Sequence, residues 1–119
     1  MSYNPPEILD HIETEIKVLL EIKKRVSRKQ FLKDEFLKRT ATRSFEIIGE
    51  ATKKLPKEFR ETHSEIEWKR MAGMRDILIH NYLEVDYELL WTVMEEEIPL
   101  LKKLIRKLNK KLNRKLNRN

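Results

Sequence analysis

At 119 residues the chain fits a single domain with one modest hydrophobic core. Charged residues make up 39% of it and hydrophobic residues another 39%, so a disordered chain is excluded, and the absence of cysteine excludes disulfides and thiolate chemistry. With two glycines, four prolines and little strand-type alternation, the composition predicts an all-α chain with short connections.

The net charge of +6 comes from one end of the sequence. Residues 102–119 carry nine Lys or Arg and no acid, whereas residues 1–101 carry 17 basic and 20 acidic residues, a net charge of −3. The basic balance therefore predicts a basic C-terminal segment and not a nucleic-acid footprint over the whole surface. Neither a signal peptide nor a membrane-spanning run is apparent, so we expect a cytoplasmic protein without a membrane partner.

The first half of the chain predicts two long helices. Residues 4–7, Asn-Pro-Pro-Glu, combine a cap residue, prolines for the first turn and an acid at the positive end of the helix dipole. Apolar residues then recur every three or four positions to about Arg25, and Ser27 with the basic residues after it predicts a turn. A second apolar stripe predicts a helix over 31–55, which Pro56 ends.

The middle of the chain predicts a short helix over 56–62, a loop over 63–67 and a further helix from about Glu67 into the segment 75–82. Gly49 and Gly73 both lie inside helical patterns, where glycine costs about 1 kcal/mol relative to alanine. We interpret both as positions where another part of the chain packs closely.

Asp86 is predicted to cap a final helix, which Pro99 should kink. Beyond Ile105 a four-residue repeat begins, with a leucine in each copy and cations around it. This pattern is typical of a basic amphipathic helix that frays at its end. It fits a solvated extension, a contact with RNA, or a contact with a protein partner.

The most chemically diverse segment is 75–82, Arg-Asp-Ile-Leu-Ile-His-Asn-Tyr. On an ideal helix Arg75 and Tyr82 lie within about 20° of one face, whereas Arg75 and His80 differ by about 140°. One regular helix would not direct both Arg75 and His80 at one substrate atom. Either the helix bends or ends near His80, or the long Arg75 side chain sweeps round, or a second subunit completes the site.

No histidine, cysteine or carboxylate spacing typical of a metal site is present, and no glycine-rich phosphate loop. An imidazole and a guanidinium fit metal-free cleavage of RNA, in which the ribose 2′-OH is the nucleophile, the imidazole moves a proton and the guanidinium stabilises charge on the phosphate. The residues taken alone also fit a structural histidine, an ordinary Asp76–His80 pair and a core Tyr82.

Arg75-x4-His80-x-Tyr82 resembles the Arg-x4-His-x-Tyr signature of the HepT-like family, a branch of the HEPN superfamily of helical ribonucleases. The resemblance continues, in order and spacing, over roughly residues 5–105. Its further segments are 47–51 (Ile-Ile-Gly-Glu-Ala), 66–68 (Ile-Glu-Trp), 71–76 (Met-Ala-Gly-Met-Arg-Asp), 85–86 (Val-Asp), Trp91 and 98–100 (Ile-Pro-Leu).

The resemblance implies a HEPN-type up-and-down bundle of four to five helices over residues 1–105, with the basic extension 106–119 outside the family pattern. It implies a homodimer with a cleft between subunits, and a toxin that cleaves RNA without a metal or other cofactor. Its partner would be an antitoxin, a nucleotidyltransferase of the MNT type, in a toxin–antitoxin pair of type II or VII.

By the same resemblance Arg75 and His80 would be catalytic, Asp76 and Asn81 would support them, and Tyr82 would accept AMP from the antitoxin. The alternative is a non-catalytic helical dimer that binds RNA or a nucleotidyltransferase.

Overall fold

The computed structural model describes residues 4–81 and 83–117, and the side chains of 4–81 and 83–114. In this part of the chain there are seven α-helices, which confirms the all-α prediction. They are α1 (Pro5–Arg25), α2 (Arg28–Lys33), α3 (Glu35–Lys53), α4 (Lys57–Thr62), α5 (Trp68–Leu78), α6 (Tyr87–Glu96) and α7 (Ile98–Asn117).

Helix α1 begins and ends where the sequence predicts. Asn4 Oδ1 accepts a hydrogen bond from the Glu7 amide at 3.0 Å, which satisfies one free N–H of the first turn. The apolar stripe of α1 is buried and packs mainly against α3 and α7. Ser44 on α3 donates to Glu15 on α1 at 2.9 Å, a polar bond at this otherwise apolar contact.

The predicted second helix is interrupted, and the predicted turn after Ser27 is wrong. Ser27 and Gln30 form a reciprocal capping box that opens the short helix α2. Asp34 then breaks the helical path, because its carboxylate accepts from the Leu37 amide at 3.0 Å and caps α3. Between these caps Phe31 is fully buried, with its ring centroid 5.3 Å from that of Trp91.

The kink predicted at Pro99 is confirmed as an interruption at Glu97 that separates α6 from α7. Pro99 is the second residue of α7, where its missing N–H would have no partner in any case. The backbone bonds from Glu97 to Val93 O and from Leu101 to Glu97 O persist at 2.9 and 3.0 Å. These interruptions explain why five predicted helices correspond to seven.

Helices α1, α3, α5 and the α6–α7 pair surround one core in an up-and-down bundle. Helix α7 continues without a break past residue 105, and the helix predicted for the basic repeat is confirmed as far as Asn117. Leu108 and Asn109, beyond that position, are buried. In the described ranges, no helix combines the length and apolar character that crossing a bilayer requires.

Candidate active site

Arg75 lies near the end of α5 and contacts α3. Its Nε is 3.9 Å from Glu46 Oε2, and its Nη1 donates to Asp76 Oδ1 at 3.5 Å. A guanidinium has five N–H donors. Within the described ranges the bond to Asp76 is the only hydrogen bond that this side chain donates, and the side chain is 41% exposed. Most of its donors therefore remain for an anion from outside.

Gly49 brings α3 and α5 together at this point. A Cβ at position 49 would lie 3.5 Å from both Ala72 O and Arg75 Cβ, so the packing interpretation of Gly49 is confirmed. For Gly73 the same interpretation is wrong. A Cβ there would meet no atom within 4 Å in the described part of the chain, because Gly73 does not face α3 or any other helix closely.

Sequence reasoning missed Glu46, the carboxylate that contacts Arg75 from α3. Glu46 lies three residues before Gly49 and therefore on the same face of α3. Since Gly49 already indicated a close neighbour on that face, a carboxylate one turn earlier was the available signal for an acidic partner. Glu46 also lies 3.9 Å from Arg43 Nη1, so two cations share it.

Helix α5 ends at Leu78, two residues before His80, which confirms one of the alternatives for this segment. Ile79 is extended, with φ −125° and ψ 94°, and forms an isolated antiparallel bridge with Val85. The His80 amide donates to Glu84 O at 3.2 Å, and the chain returns at Asp86. The 140° separation of a regular helix therefore does not apply to Arg75 and His80.

His80 stands exposed at the start of this tight loop, and no described residue hydrogen-bonds to its imidazole. Asp76 contacts Arg75, and the ordinary helical pair between Asp76 and His80 is not formed. The ring is thus held by its backbone alone, with both nitrogens accessible to a substrate. An imidazole in this state can take or supply a proton near neutral pH.

Asn81 shapes the loop through its side chain. Its Oδ1 accepts from the Leu83 amide at 2.8 Å, which forms an Asx turn, and its backbone oxygen accepts from the Glu84 amide at 3.1 Å. These bonds hold the loop on which His80 lies. Tyr82, the predicted AMP acceptor, lies outside the described residues.

These groups lie on an open surface. A cavity of about 290 Å³ between α5 and the α6–α7 junction is lined by none of Arg75, Asp76, His80 and Asn81. Small-molecule sites are usually concave and enclosed. The exposed arrangement therefore suits a chain-like substrate, or a site that a second subunit completes.

The other described side chains offer little to a metal. No group of three or more His, Cys, Asp or Glu is arranged to hold one in residues 4–81 and 83–114. His63, a second candidate proton carrier by type, is 6% exposed and lies with its ring centroid 4.6 Å from that of Phe59. Its place in the core makes it a packing residue.

The chain is similar to a group of proteins named as ribonucleases. The family described as Ribonuclease HepT-like matches residues 12–108. A candidate RNase from Caldanaerobacter subterraneus subsp. tengcongensis is 50% identical over 101 residues, which cover 85% of this chain and 90% of the relative.

A protein from Thermococcus cleftensis, whose name gives it as a ribonuclease HepT, is 39% identical over 102 residues, or 86% of this chain and 93% of the relative. No solved structure gives a significant match. The match over most of the chain, the helical bundle and the Arg75–His80 segment agree, and the chain belongs to the ribonuclease HepT-like family.

Proposed function

We propose that this protein is a metal-independent endoribonuclease in which Arg75 and His80 are the catalytic residues. The observation that carries the proposal is the accessible His80 imidazole, one short loop beyond a guanidinium that keeps free donors. Membership of a ribonuclease family supports RNA as the substrate.

In the proposed reaction the ribose 2′-oxygen forms a bond to phosphorus and the bond from phosphorus to the 5′-oxygen breaks. The products are a 2′,3′-cyclic phosphate and a 5′-hydroxyl. One imidazole takes the proton of the 2′-OH and a second group returns a proton to the leaving 5′-oxygen. Arg75 stabilises the negative charge that develops on the non-bridging oxygens.

A homodimer would supply the second proton carrier, since a two-fold axis brings a second His80 toward the same cleft. Asp76 and Asn81 act as positioning residues in this proposal. Asp76 holds the guanidinium through its 3.5 Å contact, and Asn81 holds the loop of His80 through its bond to Leu83.

The biological role that fits this chemistry is a toxin paired with a nucleotidyltransferase antitoxin of the MNT type. In the neutralising step the Tyr82 phenolic oxygen would form a bond to the α-phosphorus of ATP, with pyrophosphate as the leaving group. An AMP group two residues from His80 would place bulk and negative charge where the RNA phosphate binds. Mass spectrometry of Tyr82 after incubation with that antitoxin and ATP tests this step.

The test of the catalytic proposal is cleavage of single-stranded RNA in EDTA. His80→Ala should lower the rate by about 10²–10⁴-fold, the usual contribution of a general acid or base. Arg75→Lys should also lower it, because lysine keeps the charge and loses the planar donor fork. His11→Ala, at an exposed histidine of α1, is the matched control and should leave the rate unchanged. Full cleavage by a folded His80→Ala variant would refute the mechanism.

The second candidate function, a non-catalytic helical dimer that binds RNA or a nucleotidyltransferase, is favoured by the basic face of α7. It predicts binding that Arg75→Ala and His80→Ala leave intact. Deleting residues 106–119 is a poor test, because the deletion removes buried Leu108 and Asn109 and would disturb the fold. Substitution of exposed cations on α7 separates the two functions cleanly.

A further inference from the structure

Helix α7 has two opposite faces with different environments. Its apolar side is covered: Leu101, Ile105 and Leu108 are buried in the core and Leu112 packs against it. The opposite side carries six cations within an arc of about 140° and over a length of about 17 Å, at 100° and 1.5 Å per residue. We call it the basic face, and it consists of Lys103, Arg106, Lys107, Lys110, Lys111 and Arg114, all exposed.

The charge of the basic face is not compensated by the described residues. No acid follows Glu97 in the sequence, and in the described ranges none of the six cations forms an ion pair. The nearest acids of α1 are turned to the other side of the helix. Asp10 and Glu13 accept hydrogen bonds from the buried Asn109 amide at 2.7 and 3.0 Å.

Helix formation does not explain this pattern. Lys103–Lys107, Lys107–Lys111 and Lys110–Arg114 are like-charge pairs four residues apart, which destabilise a helix. The helix dipole favours cations only in the last turn, whereas the basic face begins four turns earlier. Burial of Leu108 and the two bonds of Asn109 keep the segment helical and leave its cations directed outward.

Two other classes of partner fit the basic face poorly. A membrane surface requires an apolar face to insert, and the leucines of α7 already pack against its own chain. The core of a protein interface is depleted in lysine and enriched in aromatic residues, and the basic face has four lysines and no aromatic residue. A run of cations with no apolar anchor is typical of contacts to a phosphate backbone.

We propose that the basic face of α7 binds the phosphate backbone of RNA and so holds the substrate outside the Arg75–His80 site. The choice of RNA as the polyanion rests on the proposed ribonuclease function. The contact is independent of base sequence, since lysine and arginine on one helix face read charge and spacing only. It adds affinity without taking part in the chemical step.

The test is binding of a 20-nucleotide 2′-O-methyl RNA by fluorescence anisotropy as a function of salt. This probe lacks the nucleophilic hydroxyl, so binding is measured without cleavage. The test variant combines Lys107→Gln, Lys110→Gln, Lys111→Gln and Arg114→Gln in the full chain. The matched control removes four exposed cations elsewhere that make no ion pair with a described residue: Lys29→Gln, Lys33→Gln, Lys53→Gln and Lys54→Gln.

Each lost phosphate contact on a single strand should reduce the slope of log K against log[salt] by about 0.7, so the test variant should lose about 3 from it. Its affinity at 0.1 M salt should fall at least about tenfold, and the control should change less than about threefold. Circular dichroism checks that α7 remains helical, which glutamine favours.

An unchanged slope in the test variant, or an equal loss in the control, would overturn the proposal. Unchanged RNA affinity together with loss of an acidic protein partner would assign the basic face to a protein. Cleavage of unmodified RNA is measured in parallel. If the parent chain binds the probe through the basic face and cleaves nothing, the proposed ribonuclease function fails and this inference stands.

Discussion

Position 49 offers a quantitative test of how α3 and α5 hold Arg75. A Cβ at Gly49 would lie 3.5 Å from Ala72 O and Arg75 Cβ, which is ordinary van der Waals contact. Gly49→Ala should therefore fit without moving α5, and it should stabilise the helix by up to about 1 kcal/mol. For a domain of this size that corresponds to an increase in Tm of about 4 °C.

Gly49→Leu is the contrasting change at the same position. Its additional carbon atoms extend beyond the Cβ toward the α5 backbone, so the two helices must separate, at a cost of about 1–3 kcal/mol. Because the displaced contact includes Arg75, RNA cleavage should fall in Gly49→Leu and be retained in Gly49→Ala. Gly73→Leu is the control, since a side chain there has open space.

Urea denaturation gives the free energies of unfolding, and cleavage assays on the same preparations give the effect on the site. A loss of more than 1 kcal/mol in Gly49→Ala would refute the packing argument, because it would mean that the helices tolerate no Cβ at all. Equal stability of Gly49→Leu and the parent would refute it from the other side.

Two further substitutions test single polar contacts. Asn109→Ala removes the bonds to Asp10 and Glu13 and should lower the free energy of unfolding by about 1–3 kcal/mol in urea titrations, whereas exposed Asn113→Ala should change it by less than about 0.5 kcal/mol; equal effects would show that the bonds of Asn109 are unimportant. Asn81→Ala removes the acceptor of the Leu83 amide and should reduce RNA cleavage, whereas Asn81→Asp keeps an acceptor and should retain more of it; a fully active Asn81→Ala variant would contradict the positioning role.

Local signals along the chain were sufficient for most helix boundaries. Residues 4–7 and Asp86 cap α1 and α6 as predicted, because a cap depends on a side chain and an amide three residues away. The break at Asp34 was missed for a related reason. The apolar stripe continues across it, and only the competition between the carboxylate and the helical path decides where the helix stops.

The candidate site divides in the same way. Arg75, Asp76, His80 and Asn81 can be identified from their types and spacing, and their catalytic and supporting roles stay predictions. Glu46 is more than 25 residues away in sequence, and it reaches Arg75 only because Gly49 allows α5 to lie close to α3.

The sequence by itself determined the helical class, the family and the residues with reactive groups, since periodicity, caps and motif spacing are local properties. Only the tertiary structure decided that α5 ends before His80, that Arg75 shares a carboxylate from α3, and that the leucines of α7 are covered while its cations face outward. These three features depend on how helices pack across the bundle, and packing is set by distances between residues far apart in the chain.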